Sequence, residues 1–247
     1  MQLTKEEIRD LLIVSVIAGF VFSFNEWGEE VFELSVGVKN LFKATLIALI
    51  IYTIHILAQK LVAKKSSCET RFNIISAKEI PFYGVVKVPH FLRPIGPIIT
   101  LLVSFLSKGK LFFIALASFE IVSKRKYRLG HKWNFIKDRE EAMIAAAGPI
   151  SNISLLILFK IMSPISPSFF TKAIFMASSL AVFHLLPFPK FDGIKIWMGS
   201  RTLFLFLWVF VPTIILLAYL INIIGTVILS FILSVIVALS YFYKSNK

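Results

Sequence analysis

The chain is poor in cysteine and in acid. One cysteine, Cys68, in 247 residues excludes an internal disulfide and excludes zinc held by four thiolates, so nothing points to an oxidising compartment. Asp and Glu number 14 against 27 Lys and Arg, a net charge of +13. No signal peptide is read at the start. Met1–Asp10 carries three acids beside two bases, and no small-residue cleavage site follows the first apolar run. Paired inverted repeats of the transporter kind are also lacking. What the chain has in excess is apolar surface: 57% hydrophobic residues, 25 Phe and a mean hydropathy of +0.81. Such runs recur along the whole length, which makes it an all-α polytopic membrane protein.

Six stretches approach the ~20 residues that cross a bilayer. They are Ile8–Phe24, Leu41–Val62, Glu141–Met162, Phe169–Leu186, Thr202–Leu220 and Asn222–Tyr243. The first is short and reaches adequate length only with its flanks. A seventh stretch, Phe91–Leu106, is broken by Pro94, Gly96 and Pro97 and flanked by strand-like alternation in Val85–Val88 and Leu111–Ile121. The connection Ser107–Arg139 holds nine Lys or Arg against Glu120 and Asp138, and Lys64–Lys78 is basic too. Both therefore belong on the cytoplasmic side, and two successive loops on one side require an even number of crossings between them. Phe91–Leu106 is accordingly a re-entrant or interfacial element. Asn25–Lys39, with Glu26, Glu29, Glu30 and Glu33, fits the outside. Six crossings put both termini in the cytoplasm of a multi-pass cell-membrane protein.

The basic cluster Lys124-Arg125-Lys126-Tyr127-Arg128 invites a nucleic-acid reading. No aromatic interleaving supports it. In a multispanning chain such a cluster marks the cytoplasmic face and touches anionic lipid at ~1 kcal/mol per charge. The expected partner is the bilayer, with transmembrane segments of other proteins as the further class, and no nucleic acid; the sequence leaves oligomeric state open.

Polar residues inside apolar runs mark candidate chemistry. His55 lies about nine residues before Lys64, roughly 13 Å along the helix, and Gln59 shares its face four residues on. Gly148-Pro149-Ile150-Ser151-Asn152 opens a later span with small residues that permit close helix approach. Asp192 follows Pro187 and Pro189, which stop a helix and free backbone carbonyls. Each residue has two readings. His55 is a core histidine bonded to a neighbour or a metal ligand; Asp192 is a membrane-edge carboxylate paired with Lys190 or Lys195, or a cation ligand; His184 is a hydrogen-bonded cavity residue or a ligand. Asn152 reads as structural support.

Taken in order, His55-Ile56-Leu57-Ala58-Gln59, Gly148-Pro149-Ile150-Ser151-Asn152 and His184 through Pro187, Pro189, Asp192 and Gly193 resemble the motifs of the site-2 protease family, zinc metalloproteases that cut inside membranes. Lys60–Lys65 with Cys68–Phe72 is similar to the basic, Cys-containing continuation of archaeal members. Gly109–Phe113 and Phe119–Ile121 look like their membrane-associated β hairpin. The resemblance spans about residues 41–200, which divides a single membrane domain, 1–247, into a first helix and outer loop (1–40), a protease-like core (41–200) and a C-terminal helical hairpin (201–247).

The resemblance implies zinc ligands at positions 55, 59 and 192 and a general base at 56. Here Ile56 replaces the glutamate and Gln59 the second histidine. Isoleucine accepts no proton, and glutamine is a poor zinc ligand beside neutral imidazole. His184 stands where the family has asparagine, so His55, His184 and Asp192 form an alternative ligand set. Ile194 replaces the family's second glycine. Zinc is expected to be weak or absent. The leading function is a pseudoprotease that binds or scaffolds membrane segments. An active metalloprotease with rearranged ligands and a surrogate base (Glu69, Glu79 or His90), or a solute or ion pathway, are the alternatives.

Overall fold

The computed structural model describes residues 3–28, 32–66, 68–76, 79–81, 85–87, 93–123 and 136–245. Along these run α1 (Lys5–Phe22), α2 (Leu34–Lys65), β1 (Cys68–Ile74), β2 (Glu79–Pro81), β3 (Val85–Lys87), α3 (Ile95–Leu106), β4 (Ala117–Ser123), α4 (Asp138–Met162), α5 (Pro167–Leu185), α6 (Asp192–Gly199), α7 (Arg201–Leu220) and α8 (Ile223–Ser245). It is a helical membrane protein. Five helices among the described residues, α2, α4, α5, α7 and α8, are long and apolar enough to cross a membrane.

The expectation of six spans is corrected at the first one. The flanks that were to lengthen Ile8–Phe24 are charged: Lys5, Glu6, Glu7, Arg9 and Asp10 all fall within the 18 residues of α1. Only Leu11–Phe22 is free of charge, which at ~1.5 Å per residue reaches roughly 18 Å of a ~30 Å hydrocarbon layer. The same arithmetic applies to α3, whose 12 residues are too few to cross as a helix. Residues 124–135, which hold the Lys124–Arg128 cluster, lie outside the described residues.

The chain forms two compact units, and α2 contributes to both. The first comprises Met1–Thr53 and Arg71–Glu120. Its α1 opens with a capping box: Glu7 N–H donates to Thr4 Oγ1 at 3.2 Å, and Thr4 N–H donates to Glu7 Oε2 at 2.8 Å. The other Glu7 oxygen accepts from Phe72 N–H at 3.0 Å, so this buried carboxylate is met by two backbone donors. Farther along, Gly19 lies against Thr45 of α2, where a Cβ would come within 2.7 Å of the Thr45 backbone nitrogen. Beyond α1, Phe24 meets Phe105 edge-on at 5.3 Å, and Asn25 Nδ2 donates to Gly109 O at 3.1 Å. Gly109, at φ +70°, closes the turn after α3.

Four short strands accompany the helices. β2 and β3 are antiparallel, with Ile80 opposite Val86, in place of the hairpin expected from Gly109–Phe113 and Phe119–Ile121. That region instead supplies β4, which pairs with β1.

The second unit comprises Ile54–Thr70 and Ile121–Lys247. Helices α4 and α5 are its centre, with 61% and 56% of their apolar windows buried, against 28% and 22% in α7 and α8. The last two pair as an outer hairpin turned by Ile221 and Asn222, and Phe206 meets Phe231 across it at 5.8 Å. Gly199, ending α6, abuts the Asp138 carbonyl at the start of α4, a contact only glycine permits.

Because the Gly19–Thr45 approach leaves no room for a side chain, Gly19→Val is expected to destabilise the protein by about 1–3 kcal/mol through overpacking. Leu12→Ala, on the exposed face of the same helix, is expected to change stability by less than ~0.5 kcal/mol. Thermal unfolding of the detergent-solubilised protein measures both.

Candidate metal centre

The second unit brings five polar side chains together among apolar helices. His55 and Gln59 face it from α2, Asn152 from α4, and His184 from the last turn of α5. Asp192 opens α6. All five are buried: His55, Gln59, Asn152, His184 and Asp192 expose 6% or less of their surface. Charge and polarity in such surroundings persist only when paired.

One carboxylate oxygen does most of that pairing. Asp192 Oδ2 lies 3.1 Å from His55 Nε2 and 3.1 Å from His184 Nδ1, and the two rings stand 4.3 Å apart, tilted by 47°. One ligand atom from each of the three residues lies within 4.8 Å of the others. Donors bound at ~2.05 Å around tetrahedral zinc are separated by about 3.3 Å. The two His–Asp separations are close to that value, and two imidazoles with one carboxylate match the donor types of catalytic zinc sites.

Local chain geometry explains how Asp192 reaches the histidines. α5 ends at Leu185, and Leu186 turns extended. Pro187 and Pro189 then prevent the helix from resuming; Lys190 adopts φ +71°, and Phe191 N–H donates back to Phe188 O at 3.1 Å. Pro187, Phe188, Pro189 and Lys190 are exposed, so the prolines shape a turn rather than line a buried cavity. Gly193 completes the return. A Cβ there would strike the Leu185 carbonyl, so only glycine lets α6 start against the end of α5.

Gly148 has the matching role on α4. A Cβ at 148 would run into the His55 imidazole and come within 2.9 Å of Gln59 Nε2. Pro149, next in the helix, removes the donor that the Ala145 carbonyl would otherwise receive. One turn on from Gly148, Asn152 Oδ1 lies 3.3 Å from His55 Nδ1. The structural role expected for Asn152 therefore has a definite form: it touches the histidine directly. The signal was present in the four-residue spacing of Gly148 and Asn152, which puts both on one face.

The orientation of the Asn152 amide sets the protonation of His55. With Oδ1 toward the ring, Nδ1–H donates, and Nε2 of a neutral imidazole presents its lone pair to Asp192. Two acceptors 3.1 Å apart repel unless a cation lies between them. In that orientation Asn152 Nδ2 makes no hydrogen bond among the described residues. The reversed amide would donate to Nδ1 and leave Nε2–H to donate to Asp192. The first arrangement suits a bound cation and the second suits its absence, as expected where an outer partner fixes the tautomer of a ligand histidine.

The remaining sequence candidates fall elsewhere. Ile56 is buried beside His55 and offers no proton acceptor. Glu69 is exposed on β1, away from the cluster members. The Glu79 side chain and His90 lie outside the described residues. The chain matches no family model, no curated protein and no solved structure.

Gly148→Ala is expected to push the His55 ring off Asp192, because the added methyl occupies the ring's position. Nitrogen NMR of histidine-labelled protein in micelles should then show altered ring resonances for both His55 and His184. Leu158→Ala, on the exposed side of α4, should leave them unchanged.

Proposed function

We propose that this chain is a site-2 protease-like membrane protein, with its core over residues 41–200, that receives membrane segments of other proteins and does not cleave them. The observation that carries this reading is the combination of a buried His55–His184–Asp192 cluster with a buried isoleucine at position 56. The cluster retains the ligand types of a hydrolytic metal site, while the position beside His55 cannot accept a proton from water. Zinc, when bound, supplies Lewis acidity and a lowered pKa for water. His55, His184 and Asp192 are the residues to hold it, Asn152 fixes the His55 tautomer, and Ile56 keeps the histidine's flank apolar. Gln59 in place of the family's second histidine removes one of the ligands the resemblance implies, so zinc is held weakly. A rearranged but active protease is the second reading, favoured by His184 standing where a substitute ligand is needed.

We further propose that the protein lies in the cell membrane with both termini cytoplasmic. α2 ends in Lys64 and Lys65, and Glu7 binds the backbone of Phe72 just beyond. Through that bond the N-terminus shares the side of the connection after α2, so Leu11–Phe22, although too short to be counted as a span by itself, carries the chain across to the acidic 25–39 connection. Four apolar helices follow the basic 107–139 connection, an even number that returns the C-terminus to the same side.

In a Cys68→Ser background, cysteine at position 33 should react with an impermeant reagent added to intact cells, and cysteine at 137 only after lysis. The reverse pattern inverts the topology. Burial and the nearby Glu140 carboxylate push the Cys68 thiol up, which already keeps its own labelling low.

For the chemistry, wild-type protein purified without chelator should carry substoichiometric zinc and leave a model transmembrane substrate intact. Ile56→Glu with Gln59→His should raise zinc towards one per chain and permit slow cleavage, since a general base is worth ~10²–10⁴ in rate. Chelator-sensitive cleavage by the wild type would overturn the pseudoprotease reading in favour of the active one.

A further inference from the structure

Gln59 holds an unused donor at the edge of the cluster. Its side chain is 2% exposed, yet Nε2 makes no hydrogen bond among the described residues. A buried amide N–H left unmet is costly, a penalty that persists in a structure when something else receives the bond. Nε2 packs against the bare backbone of Gly148. A Cβ at that position would lie within 2.9 Å of Gln59 Nε2 and would strike Nε2 and Cε1 of His55. The orphan donor and the metal-facing nitrogen of His55 therefore lie side by side against Gly148, in space that a side chain there would occupy.

We propose that Gln59 is a ligand-holding residue: its Nε2–H donates to an oxygen acceptor, of the carbonyl or carboxylate kind, that sits against a divalent cation on His55, His184 and Asp192. The inference rests on the metal-holding part of the reading above. The cluster supplies two neutral nitrogens and one carboxylate, three donors where tetrahedral zinc takes four. An acceptor oxygen completes the set, and a buried amide N–H beside it provides the one contact that an oxygen ligand wants and the cluster lacks. A histidine at position 59 would have ligated the metal; glutamine, a donor at the same place, grips what the metal binds. For a protein that receives membrane segments without cutting them, a main-chain carbonyl is the acceptor such a segment presents.

The test uses the full chain in detergent micelles with saturating Co²⁺, a coloured stand-in for zinc, titrated with N-methylacetamide as the carbonyl probe and with acetate as the carboxylate probe. Visible absorption follows both metal and probe. Gln59→Met, which keeps length and apolar packing, should weaken the probe about tenfold or more, the worth of a hydrogen bond to a charged group, while changing Co²⁺ affinity less than threefold. Gln59→Glu, which presents an acceptor, should weaken it further at high pH. N-methylacetamide alone responding assigns the site to carbonyls; acetate responding equally assigns it to oxygen acceptors of either kind. Unchanged probe affinity in Gln59→Met with Co²⁺ bound overturns this inference and leaves the metal site standing. Loss of Co²⁺ in that variant overturns it as well, by making Gln59 a direct ligand. No cobalt spectrum in the wild type would remove the inference and the metal reading together.

Discussion

The arrangement depends on one oxygen. Asp192 Oδ2 is shared between His55 Nε2 and His184 Nδ1, and this buried carboxylate has to be met by polar hydrogen or by a cation. Meeting it requires α2, the end of α5 and the start of α6 to converge within hydrogen-bonding distance. That requirement accounts for features that otherwise look like defects in an apolar chain: the exposed Pro187–Lys190 turn with its left-handed Lys190, the contact of Gly193 with the Leu185 carbonyl, and the missing side chain at Gly148.

Small residues recur for a related reason. Helices surrounded by lipid gain little by hiding apolar surface from one another, so close backbone approach and short hydrogen bonds hold them together. Gly19 against Thr45, Gly96 against the Ala115 carbonyl, and Gly199 against Asp138 are such approaches, each within one compact unit. On α4 the bare backbone at Gly148 leaves the space that the imidazole of His55 and the amide of Gln59 occupy. Close packing and polar chemistry at that helix are thus two aspects of one constraint.

The residues at positions 56, 59 and 184 form a consistent set. Isoleucine at 56 offers no proton acceptor beside His55, glutamine at 59 offers a buried amide, and histidine at 184 gives the cluster its second imidazole. Ligand geometry and acid–base catalysis depend on different atoms, so the donor set of His55, His184 and Asp192 does not depend on what stands at position 56. Asn152 belongs with the binding side: its amide selects which nitrogen of His55 is available.

How much of this was legible in the sequence follows from what a local pattern encodes. Apolar run length located α2, α4, α5, α7 and α8, because a ~30 Å hydrocarbon layer demands about twenty apolar residues wherever they occur. It overcounted at α1, where five charges in the first two turns weigh against a short run and position decides the outcome. The broken stretch ending at Leu106 was separable from the spans by its prolines and glycine. His55, Asp192 and His184 could be named as a set, since polar groups in apolar runs are rare, but spacings of 129 and 137 residues say nothing of which nitrogen faces which oxygen. The pairing of β4 with β1 was invisible for the same reason: strand partners are chosen across long separations. The sequence by itself determined an apolar helical protein with three chemically capable residues. Tertiary structure alone decided that their atoms meet on one carboxylate oxygen, because convergence there depends on the turns and glycines that bring three separate helix segments together.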